Sequence, residues 1–365
     1  MIAKELVIIG AGPAGLAAAI AASDAGAKVL IIDRSPLIGG QLVKQTHKFF
    51  GSEQQYAKTR GFDIAKRLVE QVTARKDRIE IMTDTTAAAL YPDRVVTIVH
   101  ANKYQKIQAG AVIIAAGASE KILAFENNDL PGIYGAGAVQ TLMNVYGVLP
   151  GKRILMVGSG NIGLIVSYQL LQAGVEVAAV IEAASSIGGY LVHAAKITRL
   201  GVPILTRTTI KKAEGQQAVD RVETIGLDAD WQPISGTERT FDVDAVCIAV
   251  GLSPLHQLLS MAGARTAFIQ ELGGFVPLLS EEHETTLANV FVAGDAAGVE
   301  EASSALVEGR LAGLCAARKL GHVHSDFERE VADCHHQLAV LRSGPFGQKT
   351  LSGIAKMQEV ASHAR

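Results

Sequence analysis

The 365-residue chain carries 34 basic and 36 acidic side chains, a formal charge of −2 with no basic block or basic helix face, so neither a nucleic-acid partner nor an anionic membrane surface is indicated. Hydrophobic residues make up 48% and glycines number 37, which suits an α/β chain of about two domains whose helices pack tightly on sheets. Cys247, Cys315 and Cys334 are the whole cysteine complement; no two lie close in sequence, so a disulfide framework and a CxxC pair are excluded and a cytoplasmic location is expected.

The first stretch is the most informative. Leu6-Val7-Ile8-Ile9 runs into Gly10-Ala11-Gly12-Pro13-Ala14-Gly15, then into an Ala-rich segment ending at Gly26, and Lys28 to Ile32 closes on Asp33. This reads as strand, glycine turn, helix, strand. In such a unit the first glycine permits the tight turn, the second lets backbone N–H groups approach a pyrophosphate, and the third lets helix and strand pack closely. The helix N-terminus adds partial positive charge, and an acidic residue roughly 20 positions on accepts from ribose hydroxyls. Asp33 stands there. The uncharged run from Leu6 to Ser23 has a Gly-rich, Pro-containing middle and no cleavage-like boundary, so it reads as this buried strand and helix rather than a signal peptide or a membrane span.

After Arg34 comes a polar loop with Gly39-Gly40-Gln41-Leu42, able to lie close against a bound cofactor, and then His47-Lys48 in a loop with Phe49 and Phe50. An amphipathic helix is predicted from Gly61 to about Arg75, with Ile64, Leu68 and Val72 at helical spacing. Two or three short strands follow from Ile79 to Gln108. The continuous apolar run from Ala111 to Ala116, ending at Gly117, suits a central parallel strand. Ser119 to Gly151 reads as a connector with a turn at Leu130-Pro131-Gly132 and a helix from about Ala138 to Tyr146.

The pattern then restarts. Arg153 to Val157 leads into Gly158-Ser159-Gly160-Asn161-Ile162-Gly163, a helix to Ala173, and a strand from Glu176 to Ile181 that ends on Glu182. Ser186-Ile187-Gly188-Gly189 echoes Leu37-Ile38-Gly39-Gly40, so the similarity runs past the glycines. A repeat of about 150 residues is too long for a solenoid and fits two related nucleotide-binding domains. The second copy also ends in a buried strand, Ala245 to Val250, followed by Gly251. Val290 to Val292 leads to Gly294-Asp295, then to a helix from about Ala302 to Leu320. Beyond His322 one more helix is predicted, Asp326 to about Leu341, with a poorly specified tail. His322, His324, His335 and His336 with Cys334 lack the spacing of a metal site and read as a solvated polar tail, so no metal is expected.

Two dinucleotide folds in one chain call for two dinucleotides, and the useful chemistry between a flavin and a nicotinamide is hydride transfer. Taken together, Gly10 to Asp33, Gly39 to Leu42, Ala115-Ala116-Gly117, Gly158 to Glu182, Ala249-Val250-Gly251 and Gly294-Asp295 resemble the two-dinucleotide-domain flavoproteins that include thioredoxin reductase. The resemblance implies two Rossmann-like domains, the second inserted in the first: an FAD-binding domain over 1–119 and 254–325, an NAD(H)-binding domain over 120–253, and a C-terminal helical extension over 326–365. It implies FAD contacts from Gly10, Gly12, Pro13, Ala14, Gly15, Asp33, Arg34, Gly40, Gln41, Ala116 and Gly117, with Gly294, Asp295 and Ser303. Asp295 would accept from the ribityl chain, and the following helix would point its first amides at the flavin pyrimidine edge. NAD(H) contacts are implied for Gly158, Gly160, Asn161, Ile162, Gly163, Glu182 and Gly251. Glu182 favours NAD(H) over NADP(H), since a carboxylate accepts from a ribose 2′-OH and repels a 2′-phosphate, and Ala183 and Ala184 offer no arginine.

One departure matters more. Thioredoxin reductases carry a CxxC pair just before the second glycine turn, where this chain reads Gly135-Ala136-Gly137-Ala138-Val139-Gln140-Thr141, so the intramolecular disulfide relay is chemically excluded. That segment and Ala302 to Gly313 resemble instead the nucleotide-binding subunits of heteromeric amine dehydrogenases: sarcosine oxidase alpha, hydrogen cyanide synthase, and opine or D-hydroxyproline oxidase. Such relatives often carry a cysteine-rich iron–sulfur segment, and Cys334 alone cannot supply its ligands. The expected function is an FAD-dependent oxidoreductase that exchanges a hydride with NAD(H) and passes electrons to or from a partner dehydrogenase subunit or external acceptor, as a homo- or hetero-oligomer. The alternative is a non-catalytic dinucleotide-binding subunit that scaffolds a partner. His47 and Lys48 are candidates for acid–base work beside the flavin.

Overall fold

The computed structural model describes residues 1–49, 52–345 and 347–363. The chain divides into two compact units, one made of Met1–Ser119 with Ser253–Arg365 and the other of Glu120–Leu252.

The first unit begins with β1 (Ile2–Ile9), α1 (Pro13–Asp24), β2 (Val29–Ile32), α2 (Gly61–Thr73), β3 (Ile79–Met82), β4 (Thr85–Leu90), β5 (Val95–His100) and β6 (Lys103–Ile114). The predicted buried strand at Ala111 is thus the end of one longer strand. Its first half pairs antiparallel with β5, and the rest lies parallel to β1 from Ile2↔Ile107 to Ile9↔Ile114. The sheet order β3-β2-β1-β6-β5-β4 puts the reversal of strand order between β1 and β6, where open α/β sheets form a crevice at the strands' carboxyl ends. Strands β1, β2 and β6 are apolar on both faces there because helices cover one side and further chain the other.

The chain crosses out on β7 (Ala118–Glu120). The second unit then holds β8 (Ile133–Gly135), α3 (Ala136–Asn144), β9 (Arg153–Val157), α4 (Asn161–Gln172), β10 (Glu176–Ile181), α5 (Leu191–Arg199), β11 (Ile204–Leu205), β12 (Thr208–Glu214), β13 (Arg221–Leu227), β14 (Pro233–Asp242) and β15 (Ala245–Ile248). Its parallel sheet runs β11-β10-β9-β15-β8, with the same reversal between β9 and β15 that the first unit has between β1 and β6. The antiparallel sheet β12-β13-β14 leaves no mark in the sequence pattern, since β14 is polar and exposed and carries no alternating apolar residues.

The chain returns on β16 (Leu252–Pro254), which pairs with β7, and completes the first unit with α6 (Gln257–Met261), β17 (Thr266–Ile269), β18 (Gly274–Pro277), β19 (Val290–Val292), α7 (Ala302–Lys319), α8 (Phe327–Leu341) and α9 (Gly347–His363). Strand β19 lies parallel to the end of β6. Helix α1 is buried nearly all round, and α7 crosses it closely. Cβ atoms at Gly309 and Gly313 would come within 2.1 Å of Ala14 O and 2.3 Å of Ala18 O, so only hydrogen fits. The tail predicted to be poorly specified is helix α9. Ile354, Met357 and Ala361 face Ile269, Leu272 and Val276 on the β17–β18 hairpin, a stripe too sparse for the sequence to reveal. Among the described residues, no helix is long and apolar enough to cross a membrane.

Candidate functional site

The first unit gathers its glycines around the end of β1. Gly10 takes φ +110°, and a Cβ there would lie 2.2 Å from Ala115 O at the end of β6. A Cβ at Gly15 would lie 1.9 Å from Gly10 O. Packing alone therefore demands both glycines. Gly12 differs: its φ of −79° suits any residue, and an added Cβ would meet nothing closer than 3.9 Å, at Gly40 Cα. The missing side chain leaves the turn open just where Pro13 starts α1, whose first turn has neither an acidic residue nor a side-chain cap. Uncapped amides, a helix dipole and an open glycine are what a dinucleotide pyrophosphate requires, and the residues fit an FAD.

Asp33 turns back to this point. Its Oδ2 accepts from Ala11 N (2.6 Å) and its Oδ1 from Ser35 N (2.8 Å), so the carboxylate is aimed by backbone amides. Gly39 N donates to Ala11 O (2.8 Å), and a Cβ at Gly40 would lie 2.7 Å from Gly12 Cα. The predicted close approach of Gly39-Gly40 is thus to the glycine turn itself. Gln41 and Arg34 are exposed at its edge, and Gly117, at φ +77°, has open space on its Cβ side.

Gly294-Asp295 reaches the same turn from β19. Gly294 has φ +71°, and its Cβ would lie 2.9 Å from Ala14 Cβ in the first turn of α1. Asp295 is half-buried, and desolvation pushes its carboxyl up to about 6, against the pull of the Glu300 amide that donates to Oδ1 at 3.3 Å. Ser303 is buried in the first turn of α7. Glu308, buried on the same helix, accepts from Gly294 N through Oε2 at 2.9 Å and from Arg342 Nη2 through Oε1 at 2.6 Å. Arg342 also grips Glu300. Nothing in the sequence singles out Glu300, Glu308 or Arg342.

His47 is half-buried and stacks on Phe49 at 5.6 Å between ring centroids, while Lys48 is exposed and bridges Arg60 by its backbone. Both belong to a loop pinned at the start of α2. Phe50 lies outside the described residues.

The second unit repeats the construction. Cβ atoms at Gly158 and Gly163 would lie 2.3 Å from Ala249 O and 2.1 Å from Gly158 O, whereas Gly160 has nothing within 4 Å. Again the outer glycines are required by packing and the middle one leaves space. Glu182 accepts from Ser159 N (2.9 Å), Ser159 Oγ (2.7 Å) and Ala184 N (3.0 Å), one donor more than Asp33, because serine replaces alanine in the turn. Gly189 N donates to Ser159 O, and Tyr190 N to Asn161 Oδ1 at 2.8 Å, so the second Gly-Gly loop also folds onto its turn. Gly251 takes φ +117° just beyond β15, and Ile162 is exposed in the first turn of α4. One cation near Glu182 carries no signal in the sequence: Arg207, whose amide donates to Ala184 O. Ala136 and Val139, in the segment where the resemblance leads one to expect a CxxC pair, are fully buried in this unit's own core.

The three cysteines are buried. Burial pushes the Cys247 thiol far up, Cys315 to about 12 and Cys334 to about 11, so none offers a thiolate. Cys334 and the neighbouring histidines form no metal-binding group among the described residues. His322 instead pairs with Glu5.

Two α/β units, each with a glycine turn opened at its middle glycine and a carboxylate aimed at it, define a flavoprotein oxidoreductase with a duplicated dinucleotide fold. The chain belongs to the pyridine nucleotide-disulphide oxidoreductase family, whose model matches residues 4–309. That membership makes it an FAD-dependent oxidoreductase. It is 28% identical over 332 residues to an opine oxidase subunit of Agrobacterium tumefaciens, covering 87% of this chain and 66% of that protein. It is also 28% identical over 331 residues to the alpha subunit of sarcosine oxidase of Rhizobium meliloti, covering 87% of this chain and 31% of that protein. The chain thus spans 66% and 31% of the lengths of these two relatives. The crystal structure of T. acidophilum thioredoxin reductase superposes with a TM-score of 0.72 at 20% identity, covering 87% of this chain and 99% of that one, a likeness of fold.

Proposed function

We propose that the chain is the nucleotide-binding subunit of a heteromeric dehydrogenase or oxidase acting on an amine or N-substituted amino acid. In this reading the first unit holds FAD, the second holds NAD(H), and electrons pass to or from a partner subunit or an external acceptor. The observation that carries it is the doubled cradle with an open middle glycine, combined with cysteines that are buried and protonated. With no dithiol to relay electrons, FAD held here would supply the redox chemistry of this chain, hydride exchange with a nicotinamide. The substrate class comes from the relatives named for opines and sarcosine, both of which contain a secondary amine.

The chain's own residues bind and orient. Gly12 and the first amides of α1 would receive the pyrophosphate, Asp33 would accept from the adenosine ribose, and Asp295 would accept from the ribityl chain. The first turn of α7 would offer its dipole to the flavin, where it would favour negative charge. Glu182 reads the NAD(H) ribose. Tagging the chain in its native host and identifying co-purifying chains tests the assembly: a second, amine-oxidising subunit is expected, and a chain that purifies alone at full NADH-dependent turnover contradicts it.

A second reading, a non-catalytic subunit whose dinucleotide folds hold an assembly together, draws on one observation. Glu182 already accepts three donors from its own unit and has less to offer a ribose. Bound nucleotide without flavin reduction by NADH would favour it.

A further inference from the structure

The Gly294-Asp295 turn is anchored to a residue far along the chain. Gly294 N donates to Glu308 Oε2 at 2.9 Å, and Glu308 Oε1 accepts from Arg342 Nη2 at 2.6 Å. The same guanidinium holds Glu300 through Nε at 2.8 Å and Nη2 at 3.1 Å, and Glu300 N donates to Asp295 Oδ1 at 3.3 Å. The contacts close a ring that starts and ends on the turn. Arg342, Glu300 and Glu308 keep only 13%, 9% and 7% of their side chains exposed.

Such a cluster is a poor way to stabilise a fold. Taking two carboxylates and a guanidinium out of water costs more than their attraction returns unless geometry is excellent, and apolar residues of the same volume often do better. What the ring does supply is a fixed geometry. A planar guanidinium forks onto two carboxylates, one of which holds the Gly294 amide while the backbone of the other holds Asp295. The turn it fixes is pressed against Ala14 in the first turn of α1, beside the uncapped amides that open that helix.

We propose that Arg342, at the end of α8, is a positioning residue for the flavin: by clamping Glu300 and Glu308 it holds the Gly294 amide and the Asp295 carboxylate in the place where the ribityl chain is read. The proposal rests on the reading of the first unit as the FAD site.

The test uses the full chain, stripped of flavin and titrated with FAD, with Arg342→Met, Arg342→Lys, Glu308→Gln, Asp295→Asn and the Asp295→Asn double variants. FAD affinity, the visible circular dichroism of the bound flavin, and the urea stability of the apoprotein are measured together. Arg342→Met is expected to weaken FAD binding about tenfold or more and to change the flavin dichroism, with Arg342→Lys recovering part of the loss because an ammonium grips one carboxylate and not two. Adding Arg342→Met to Asp295→Asn is expected to cost less than about threefold beyond Asp295→Asn alone, since both act through one contact. If Arg342→Met does not fold, Glu308→Gln, which keeps the side chain's shape, carries the same comparison. Losses that simply multiply, or an affinity and a dichroism unchanged in the Arg342 variants, overturn the proposal. A wild-type chain that takes up no FAD overturns the reading of the site, and the proposal with it; wild-type uptake followed by either of the former results overturns the proposal alone.

Discussion

Gly12 and Gly15 belong to the same turn, yet they should fail in different ways when given a side chain. Gly12 has φ −79° and ψ −173°, open to any residue, and 3.9 Å of clearance to the nearest atom. Gly12→Val therefore costs folding about 1 kcal/mol or less, the usual scale for exchanging an N-cap glycine. Its effect falls on the ligand. Two backbone amides lose charge-assisted hydrogen bonds to the pyrophosphate, about 1.5 kcal/mol each at the low end, which is roughly a hundredfold in FAD affinity. Gly15→Ala places a Cβ 1.9 Å from Gly10 O and cannot be accommodated without moving α1 off the sheet. A loss of about 3 kcal/mol or more of stability is expected, with flavin lost as a consequence. Titrating apoprotein with FAD by fluorescence and unfolding the same samples in urea separates the two. Gly12→Val that keeps its flavin affinity within about threefold of wild type, or that loses flavin only by unfolding, refutes the assignment of the turn.

Asp295 gives a pH signature in the apoprotein. Its carboxyl sits at about 6 in the fold against an ordinary 3.8, so the folded chain keeps the proton longer and the group's contribution is intact below pH 4 and lost as pH rises toward 6. Asp295→Asn is expected to match wild type near pH 4 and to exceed it by up to about 3 kcal/mol at pH 7 in urea unfolding, while binding FAD more weakly; a difference independent of pH contradicts the burial argument. Flavin reduction is expected to run at least about tenfold more efficiently with NADH than with NADPH. Glu182→Gln should narrow that preference and Arg207→Ala should leave it unchanged; efficient reduction by NADPH that disappears in Arg207→Ala assigns the specificity to the arginine instead.

Both glycine turns, their strands and the acidic residues that end them are legible because the information is local. A tight turn, an open amide and a buried parallel strand each require particular residues at fixed short spacing, and Gly10 to Asp33 and Gly158 to Glu182 carry them. The Gly39-Gly40 loop is expected from sequence to face a cofactor, and its immediate contact is the backbone of Gly12. What the sequence hides is assembled across long separations. Glu308 and Arg342 lie 34 residues apart, and each reads as one more charge on a helix that could face water. Helix α9 buries only a thin stripe of apolar residues, so its periodicity is lost among lysines and serines. Ser159 shows nothing in sequence of the extra donor it brings to Glu182, because that contact exists only once β10 is laid beside β9.

Mixing the flavin-loaded chain with NADH under strict exclusion of oxygen, and following the visible flavin absorbance, tests the central claim most directly. Two cradles serving FAD and NAD(H) in one chain require the yellow colour to bleach with about one NADH per flavin, in a chain whose cysteines take no part. Flavin that stays oxidised in the presence of excess NADH, or a purified chain that binds no flavin at all, contradicts it.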